Sequence, residues 1–403
     1  MDKIIVIDAD HRHTRNIARD VRALKVYSEI LPADTTSEEI KAAAPSGVIS
    51  SGRPDKPLDW KGPFLVVDGE LETEKLSDFL FKECRCQPQW DMKNWVDATT
   101  EEIRKTVGGE RVVCGLSGGV DSSVAAVVTA RAIGGRLDCI FVNNGLLRLN
   151  EAEEVLGLYE QLKLKVHYVD ASDEFLNGLA GVDDPEKKRK IIGETFIRVF
   201  EREASRLGDA PWLLQGTVYP DVIESGGKGG RLVKSHHNVG GLPEDMKLKV
   251  LEPLRNLFKD EVREAGRIMG VPEAIVSRQP FPGPGLAVRC LGAIDRERLD
   301  ILRRADAIFR QELSAWEDSH CVWQSFAVLL PVKTVGVSGG ARTYFSTVAL
   351  RAVESIDGMA ADWVRIPYEI VGRASARICE EVEGVNRVVL DVTGKPPSTI
   401  EWE

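Results

Sequence analysis

Short hydrophobic runs alternate with amphipathic stretches at the start of the chain. They predict strands at residues 3–7, 26–31, 47–50 and 64–67, with a helix over residues 13–23. This alternation is typical of a fragment of an α/β sheet. The apolar segment Phe79-Leu80-Phe81 then leads out of this first section, which we place at residues 1–83.

A second alternation of strands and helices follows a helix predicted at residues 95–107. Strands are expected at residues 111–116, 137–142, 166–169 and 212–214, and helices at residues 121–133 and around residues 191–200. Such alternation predicts a parallel, doubly wound sheet, which we place at residues 84–285. The polar, glycine-rich segment 225–241 is expected to be a mobile lid.

The third section follows the punctuating segment Phe281-Pro-Gly-Pro-Gly285. Strands are predicted at residues 323–330, 333–337 and 387–392, and helices at residues 296–312 and 368–381. This mixture indicates a compact α+β domain at residues 286–403.

Composition narrows the class of protein. The 403 residues are 43% hydrophobic and 29% charged, as in soluble proteins of two or three domains. The chain shows no signal peptide and no apolar run of about 20 residues, the length that spans a bilayer. Its seven scattered cysteines argue against a disulfide framework and favour the cytoplasm. The net charge of −10 argues against a nucleic-acid polymer, although it allows a small phosphorylated ligand.

The segment with the clearest chemistry is Cys114-Gly-Leu-Ser-Gly-Gly-Val-Asp-Ser-Ser123, which follows a predicted strand and opens a helix. Glycines let the backbone approach an anion, and the amides and dipole of a helix N-terminus favour negative charge. Ser117 and Ser122 can add hydroxyl donors, and Asp121 can hold Mg²⁺. The segment matches neither GxxxxGK(S/T) nor GxGxxG. The alternative is an ordinary glycine-rich turn.

The string SGGVDS resembles the loop of N-type ATP-pyrophosphatases, which hold the β and γ phosphates so that AMP passes to the substrate. The loop alone leaves open argininosuccinate, asparagine, NAD and GMP synthetases and tRNA-modifying enzymes. Over about residues 80–403 the chain is similar to GMP synthetase. The matching strings are FVNNGLLR at 141–148, GTVYPDVIES at 216–225, KSHHNVGGLP at 234–243, RQPFPGPGLAVR at 278–289, LLPVKTVG at 329–336 and GKPPSTIEWE at 394–403.

This resemblance implies three groups of site residues. The ATP-binding positions are Ser117, Gly118, Gly119, Val120, Asp121 and Ser122, with Asp121 near magnesium. The catalytic positions are Asp221, Glu224, Lys234, His236, His237 and Lys259. The positions for xanthosine monophosphate (XMP) are Arg289, Gln324, Arg387, Lys395, Ile400 and Glu401. Taken singly, such charged residues are usually solvated surface groups; in their matching strings the functional interpretation is favoured.

The implied reaction has two steps and needs ATP and Mg²⁺. The oxygen on carbon 2 of XMP attacks the α phosphorus and releases pyrophosphate; ammonia then displaces AMP to give GMP. The third section resembles the family's dimerisation domain, so a homodimer is expected.

The first section resembles the start of a class I glutamine amidotransferase at residues 15–31 and 47–54. The rest of that domain is missing or replaced. Where the nucleophile should follow a strand, the chain reads Phe64-Leu-Val-Val-Asp-Gly-Glu70 without a cysteine, and none of the six histidines begins a His-x-Glu pair. Cys84 and Cys86 are assigned no catalytic role. We therefore predict a catalytically dead remnant and an enzyme that takes free ammonia or ammonia from a separate glutaminase.

Smaller departures and two alternatives stay open. Asn143 replaces an aspartate usual in relatives, the lid carries Gly-Gly-Lys-Gly-Gly-Arg, and residues 338–342 replace a more acidic turn. One alternative is a related amidating ligase for a modified purine nucleotide. The other is a non-catalytic nucleotide-binding regulator.

Overall fold

The computed structural model describes residues 2–10, 13–54, 58–224, 248–355, 358 and 360–403. The strands are β1 Lys3–Asp8, β2 Tyr27–Pro32, β3 Gly47–Ser50, β4 Phe64–Val66, β5 Val112–Leu116, β6 Leu137–Asn143, β7 Val166–Asp170, β8 Trp212–Leu214, β9 Lys249–Leu251, β10 Gln324–Ser338, β11 Ala341–Glu354, β12 Asp362–Trp363 and β13 Val385–Leu390.

Besides short 3₁₀ and π helices, which are not numbered, the described residues form thirteen α-helices. They are α1 Thr14–Ala23, α2 Ser37–Ala43, α3 Thr73–Asp78, α4 Met92–Val107, α5 Val120–Ile133, α6 Glu151–Gln161, α7 Ser172–Gly178, α8 Pro185–Arg206, α9 Tyr219–Glu224, α10 Lys259–Ile268, α11 Glu273–Val276, α12 Arg296–Ser314 and α13 Tyr368–Glu381. None of the described helices is long and apolar enough to cross a membrane.

Packing divides the chain into two compact units. Unit 1 contains the described residues within Met1–Gly108, Gly216–Ser235 and Glu252–Gly270. Unit 2 contains those within Gly109–Gln215, His236–Leu251 and Val271–Glu403. These units divide the chain differently from the three predicted domains, because α4, α9 and α10 pack with the N-terminal section. The three-domain scheme stays a prediction.

Unit 1 is built on a parallel sheet in the order β2-β1-β3-β4. Alternation along β1 explains its two faces: Ile4 and Val6 join one buried cluster, and Ile5 and Ile7 join another. The four predicted strands are confirmed to within one or two residues. Helix α2 was not predicted; it begins at a capping box between Thr36 and Glu39.

Unit 2 contains the predicted parallel, doubly wound sheet, in the order β7-β6-β5-β8-β9. The chain leaves β5 toward β6 and later returns to its other side at β8. The carboxyl end of β5 is therefore the topological switch point, where ligands bind in such folds. The edge strand β9 was missed, because it is only three residues long and two of them are exposed.

The third predicted section forms a sheet in the order β10-β11-β12, and β13 pairs with β11 at Ser346–Leu350, on the edge opposite β10 that β12 also uses. Two strands were predicted where the structure has one, β10, whose register shifts between Leu329 and Lys333. Pro331 lies at that shift, as expected of a residue that cannot donate to the ladder. Its partner β11 was missed because Arg342 and Arg351 interrupt its apolar pattern.

One hydrophobic cluster joins this sheet to the parallel sheet within unit 2. Ile140 and Phe175 share it with Leu286, Phe309 and Leu350. The predicted boundary at residue 285 therefore lies inside a continuous core.

Candidate functional site

The glycine turn between β5 and α5 places backbone amides at the start of a helix. Gly119 is the N-cap residue of α5, and no described side chain caps it. Gly118 has φ of +76°, and a Cβ there would lie 2.7 Å from Nη1 of Arg278. The turn therefore requires glycine for its backbone conformation, and a Cβ would also displace Nη1 of Arg278. Its amides and helix dipole suit a phosphate.

Two serine hydroxyls line the same turn. Oγ of Ser117 lies 3.0 Å from Oγ of Ser122. The amide of Gly119 donates to Ser117 Oγ, and the amide of Ser117 donates to Ser122 Oγ, each at 3.3 Å. Because these two hydrogen bonds are long, the amides of Ser117 and Gly119 could donate to a bound anion instead. Asp121, in the first turn of α5, is half-buried.

Arg278 adds positive charge beside the turn, a feature that the sequence analysis missed. Its Nη1 donates to the carbonyl of Gly118 at 2.7 Å, and its Nη2 pairs with Glu151. Glu151 also accepts from the amide of Arg148 at 2.7 Å. In the sequence, Arg278 is distinguished only as the first residue of the matching string at 278–289, and a single arginine there does not predict a contact with Gly118.

Two cavities of unit 2 meet at Arg148. One has a volume of about 280 Å³ and is lined in part by Asn143, Ser172 and Arg303. The other has about 420 Å³ and is lined in part by Arg278. Burial lowers the pKa of Arg148 to about 10. Asn143, flagged as a departure, donates to the hydroxyl of Tyr168 at 3.1 Å and accepts from the amide of Gly145 at 3.0 Å.

Three of the residues predicted to bind XMP lie together. Arg289 is fully buried and donates to Glu401 through Nε at 2.9 Å and Nη2 at 2.7 Å. Gln324 donates to the same carboxylate at 2.9 Å. The guanidinium of Arg289 also lies 4.0 Å from the ring centroid of Phe326 and 5.2 Å from that of Phe281.

Of the other three predicted XMP residues, Ile400 adjoins Glu401, whereas Lys395 and Arg387 lie elsewhere in unit 2. Ile400 is buried beside β10, and its carbonyl accepts from Arg351 at 2.7 Å. Lys395 donates to the carbonyl of Gly358 at 2.8 Å. Arg387 lies on β13 with an exposed side chain. Arg351, which was not predicted, is fully buried and also binds the carbonyls of residues 393 and 399.

The predicted catalytic residues of unit 1 lie on α9 and α10. Asp221 accepts from the amide of Val218 at 3.1 Å, which fixes the first turn of α9. Lys259 is the first residue of α10, and Glu224 is the last residue of α9. Lys234, His236 and His237, together with the predicted lid, lie outside the described residues.

The N-terminal unit contains two thiols, neither of them suited to glutamine cleavage. Burial raises the pKa of Cys84 to about 12, and burial also raises the pKa of Cys86. A thiolate is the nucleophilic form of cysteine, so both thiols stay in the unreactive form at neutral pH. After β4 the chain continues through Val67 to the exposed Asp68.

Comparison with known proteins identifies the family. The sequence pattern described as GMP synthase C terminal domain matches residues 311–402, and that described as NAD synthase matches residues 92–188. A glutamine-hydrolyzing GMP synthase from Carboxydothermus hydrogenoformans is 44% identical over 508 aligned positions, covering 100% of this chain and 99% of its own. The chain belongs to the GMP synthase family.

Two further relatives carry the same name. That from Aquifex aeolicus is 59% identical over 82% of this chain and 65% of its own length. That from Geobacillus kaustophilus is 51% identical over 94% of this chain and 74% of its own. The Carboxydothermus alignment is longer than the 403 residues of this chain, so that relative carries residues that this GMP synthase family member lacks.

Membership confirms the predicted family, the α/β fold class with a parallel sheet, and the class of ATP-dependent ligases. GMP synthesis is the activity that this membership supports. Among solved structures, that of NMN synthetase from Francisella tularensis covers 49% of this chain and 78% of its own at 18% identity, with a TM-score of 0.38. That score is too low to support an argument.

Proposed function

We propose that this protein adenylates XMP with ATP and aminates it with ammonia to give GMP, AMP and pyrophosphate, without glutaminase activity of its own. The observation that carries the proposal is the turn at Gly118, whose amides, serine hydroxyls and neighbouring Arg278 suit the outer phosphates of ATP. With these phosphates held as a unit, the α phosphorus is left open to a nucleophile.

The first step forms one bond and breaks one. The oxygen on carbon 2 of XMP bonds to the α phosphorus of ATP, while the bond from that phosphorus to the bridging oxygen breaks and pyrophosphate leaves. Ser117, Ser122 and the amides after Gly118 would hold the leaving pyrophosphate. Arg278 lies beside them and would offset part of its charge.

The second step replaces the activated oxygen. Ammonia bonds to carbon 2, AMP leaves with the oxygen, and the added nitrogen loses one proton to give the amino group of GMP. Asp221, Glu224, Lys234, His236, His237 and Lys259 are proposed to serve these two steps.

Asp121 fits a magnesium site of the kind completed by substrate. It is a half-buried carboxylate in the first turn beside the phosphate-binding amides, and the described residues include no cluster of three ligands that could hold a metal alone. Mg²⁺ commonly uses one or two carboxylates together with substrate phosphates. When bound, it would supply charge neutralisation for the pyrophosphate.

Arg289, Gln324, Arg387, Lys395, Ile400 and Glu401 are proposed to bind XMP. The Arg289–Glu401 pair would give this site a fixed, buried framework, and Lys395 and Arg387 would supply charge for the phosphate. We also propose a cytoplasmic homodimer in which the third predicted domain, residues 286–403, makes the contact, and a separate glutaminase chain as one source of ammonia.

A comparison of nitrogen donors tests the proposal. Purified protein with XMP, ATP and Mg²⁺ should form GMP and AMP from ammonium but not from glutamine. Since uncharged ammonia is the nucleophile, the rate at fixed ammonium should rise with pH until another group limits it. Equal GMP formation from glutamine alone would contradict the absence of glutaminase activity, and accumulation of ADP instead of AMP would contradict the mechanism.

A further inference from the structure

Arg22 of α1 is a buried cation enclosed by four aromatic rings of unit 1. Its guanidinium carbon lies between 4.6 and 5.3 Å from the ring centroids of Tyr27, Trp90, Tyr219 and Phe258. The residue is only 6% exposed. Such a site makes each cation–π contact stronger than at the surface, because water does not compete.

Hydrogen bonds fix the guanidinium within this enclosure. Nη1 donates to Glu261 at 2.5 Å and to the carbonyl of Asn256 at 2.8 Å. Nε and Nη2 donate to the hydroxyl and carbonyl of Ser28 at 3.1 and 2.7 Å. A buried charge with this many fixed partners has one geometry, and removing it leaves Glu261 buried without its counter-charge.

Glu261 connects Arg22 to the start of α10 through hydrogen bonds. The carboxylate of Glu261 accepts from the amide of Phe258 at 2.8 Å and from the indole of Trp90 at 2.6 Å. Phe258 directly precedes Lys259, the first residue of α10. The orientation of Lys259 thus depends on a carboxylate whose position is set by Arg22.

Tyr219 connects the aromatic rings around Arg22 to α9. It begins that helix, its amide donates to the carbonyl of Leu257 at 2.9 Å, and its ring lies edge-on to Phe258 at 5.2 Å. Its hydroxyl contacts the backbone of Ile30 in β2. Asp221 follows two residues later, so one enclosure joins the N-terminal sheet to both helices that bear proposed catalytic groups.

We propose that Arg22 is a positioning residue for the adenylation step, and that the N-terminal section serves the reaction by holding α9 and α10 through it. The proposal rests on the proposed function of Asp221 and Lys259. It gives a task to a section that lacks the cysteine for glutamine chemistry.

The test compares Arg22→Met and Arg22→Lys with Ile40→Ala, a control that destabilises the same unit by leaving a cavity in its core. Ile40 is fully buried in the cluster on the opposite face of the N-terminal sheet. XMP-dependent pyrophosphate release is measured with ammonium, below the unfolding temperature of each variant. R22M should lose about 10- to 100-fold in kcat with little change in the KM for ATP, as for a displaced catalytic group. R22K should recover part of the rate, because its ammonium still pairs with Glu261.

Hydrogen exchange separates this proposal from the proposed function. R22M should speed amide exchange in α9 and α10 more than in the rest of unit 1, whereas I40A should show no such preference for these two helices. An R22M kcat within twofold of the native value, an equal kcat loss in I40A, or unchanged exchange in both helices would overturn the positioning role. If the native protein releases no pyrophosphate with XMP, the proposed function fails, while the exchange comparison still decides whether Arg22 orders these helices.

Discussion

Arg289 and Glu401, 112 positions apart, form a two-point ion pair through Nε–Oε2 at 2.9 Å and Nη2–Oε1 at 2.7 Å. The arginine side chain is fully buried, and the glutamate side chain is 20% exposed. Aromatic rings of Phe281 and Phe326 lie near the guanidinium. The pair therefore attaches the C-terminal segment to the loop before α12 and orients two proposed XMP ligands at once.

Replacing one residue of this ion pair should lower the free energy of unfolding more than replacing both. E401Q leaves the buried Arg289 without its counter-charge and should lower the free energy of unfolding by about 3 kcal/mol. The double variant R289M/E401Q should recover part of that loss, because no buried charge is left. Urea unfolding measures both. Equal losses in the single and double variants would contradict this account, and either variant should raise the KM for XMP.

Gly118 should tolerate no side chain. G118A puts an alanine at a φ of +76°, which strains the turn by about 1–3 kcal/mol, and its Cβ must displace Nη1 of Arg278. We expect about a hundredfold loss of XMP-dependent pyrophosphate release. The matched control is G109A, since a Cβ at Gly109 has no described neighbour within 4 Å. Similar activity in the two variants would show that the turn does not bind the phosphates of ATP.

Arg278 should matter for ATP more than for XMP. R278Q removes the charge beside Gly118 and leaves Glu151, whose side chain is 5% exposed, without that partner. The KM for ATP should rise about tenfold, in line with the loss of a charge-assisted hydrogen bond. R202Q serves as control, because Arg202 pairs with Glu174 at the surface. If the KM for XMP rises while that for ATP does not, Arg278 belongs to the other substrate.

Asp138 should make the stability of unit 2 sensitive to acid. Burial opposes its ionisation, but hydrogen bonds from Arg111, Lys165 and His167 outweigh burial and lower its pKa to about 2. An unfolded aspartate has a pKa of about 3.9. The stabilisation is therefore present above about pH 4 and is lost as pH falls toward 2.

D138N should remove this pH-dependent contribution. The stability difference between the native protein and D138N, measured by urea unfolding from pH 6 to pH 3, should narrow as pH falls. D59N is the control, because Asp59 pairs with Lys41 at the surface, where an ion pair adds little. A constant gap between native protein and D138N across this range would contradict the role of the Asp138 carboxylate.

Sequence patterns predicted the parallel sheets well, because buried strands need continuous apolar runs whatever surrounds them. The same patterns did not predict β11, because the burial of its arginine depends on contacts with distant segments. Strand β11 contains Arg351, a buried residue whose hydrogen bonds reach Asp391 and the carbonyls of the C-terminal segment. No local rule predicts that a charged residue lies buried within a central strand, since its partners are 40 to 48 positions away.

The sequence by itself determined the glycine turn between β5 and α5, because glycines, serines and a helix start are local requirements that adjacent residues meet together. It also determined the family, through ordered strings along the chain. Only the tertiary structure decided that Arg278 lies beside Gly118, that Arg289 is neutralised by Glu401, and that Arg22 is enclosed against α9 and α10. These are contacts between distant segments. The sequence around a single charged residue does not identify the partner that the residue will have once it is buried.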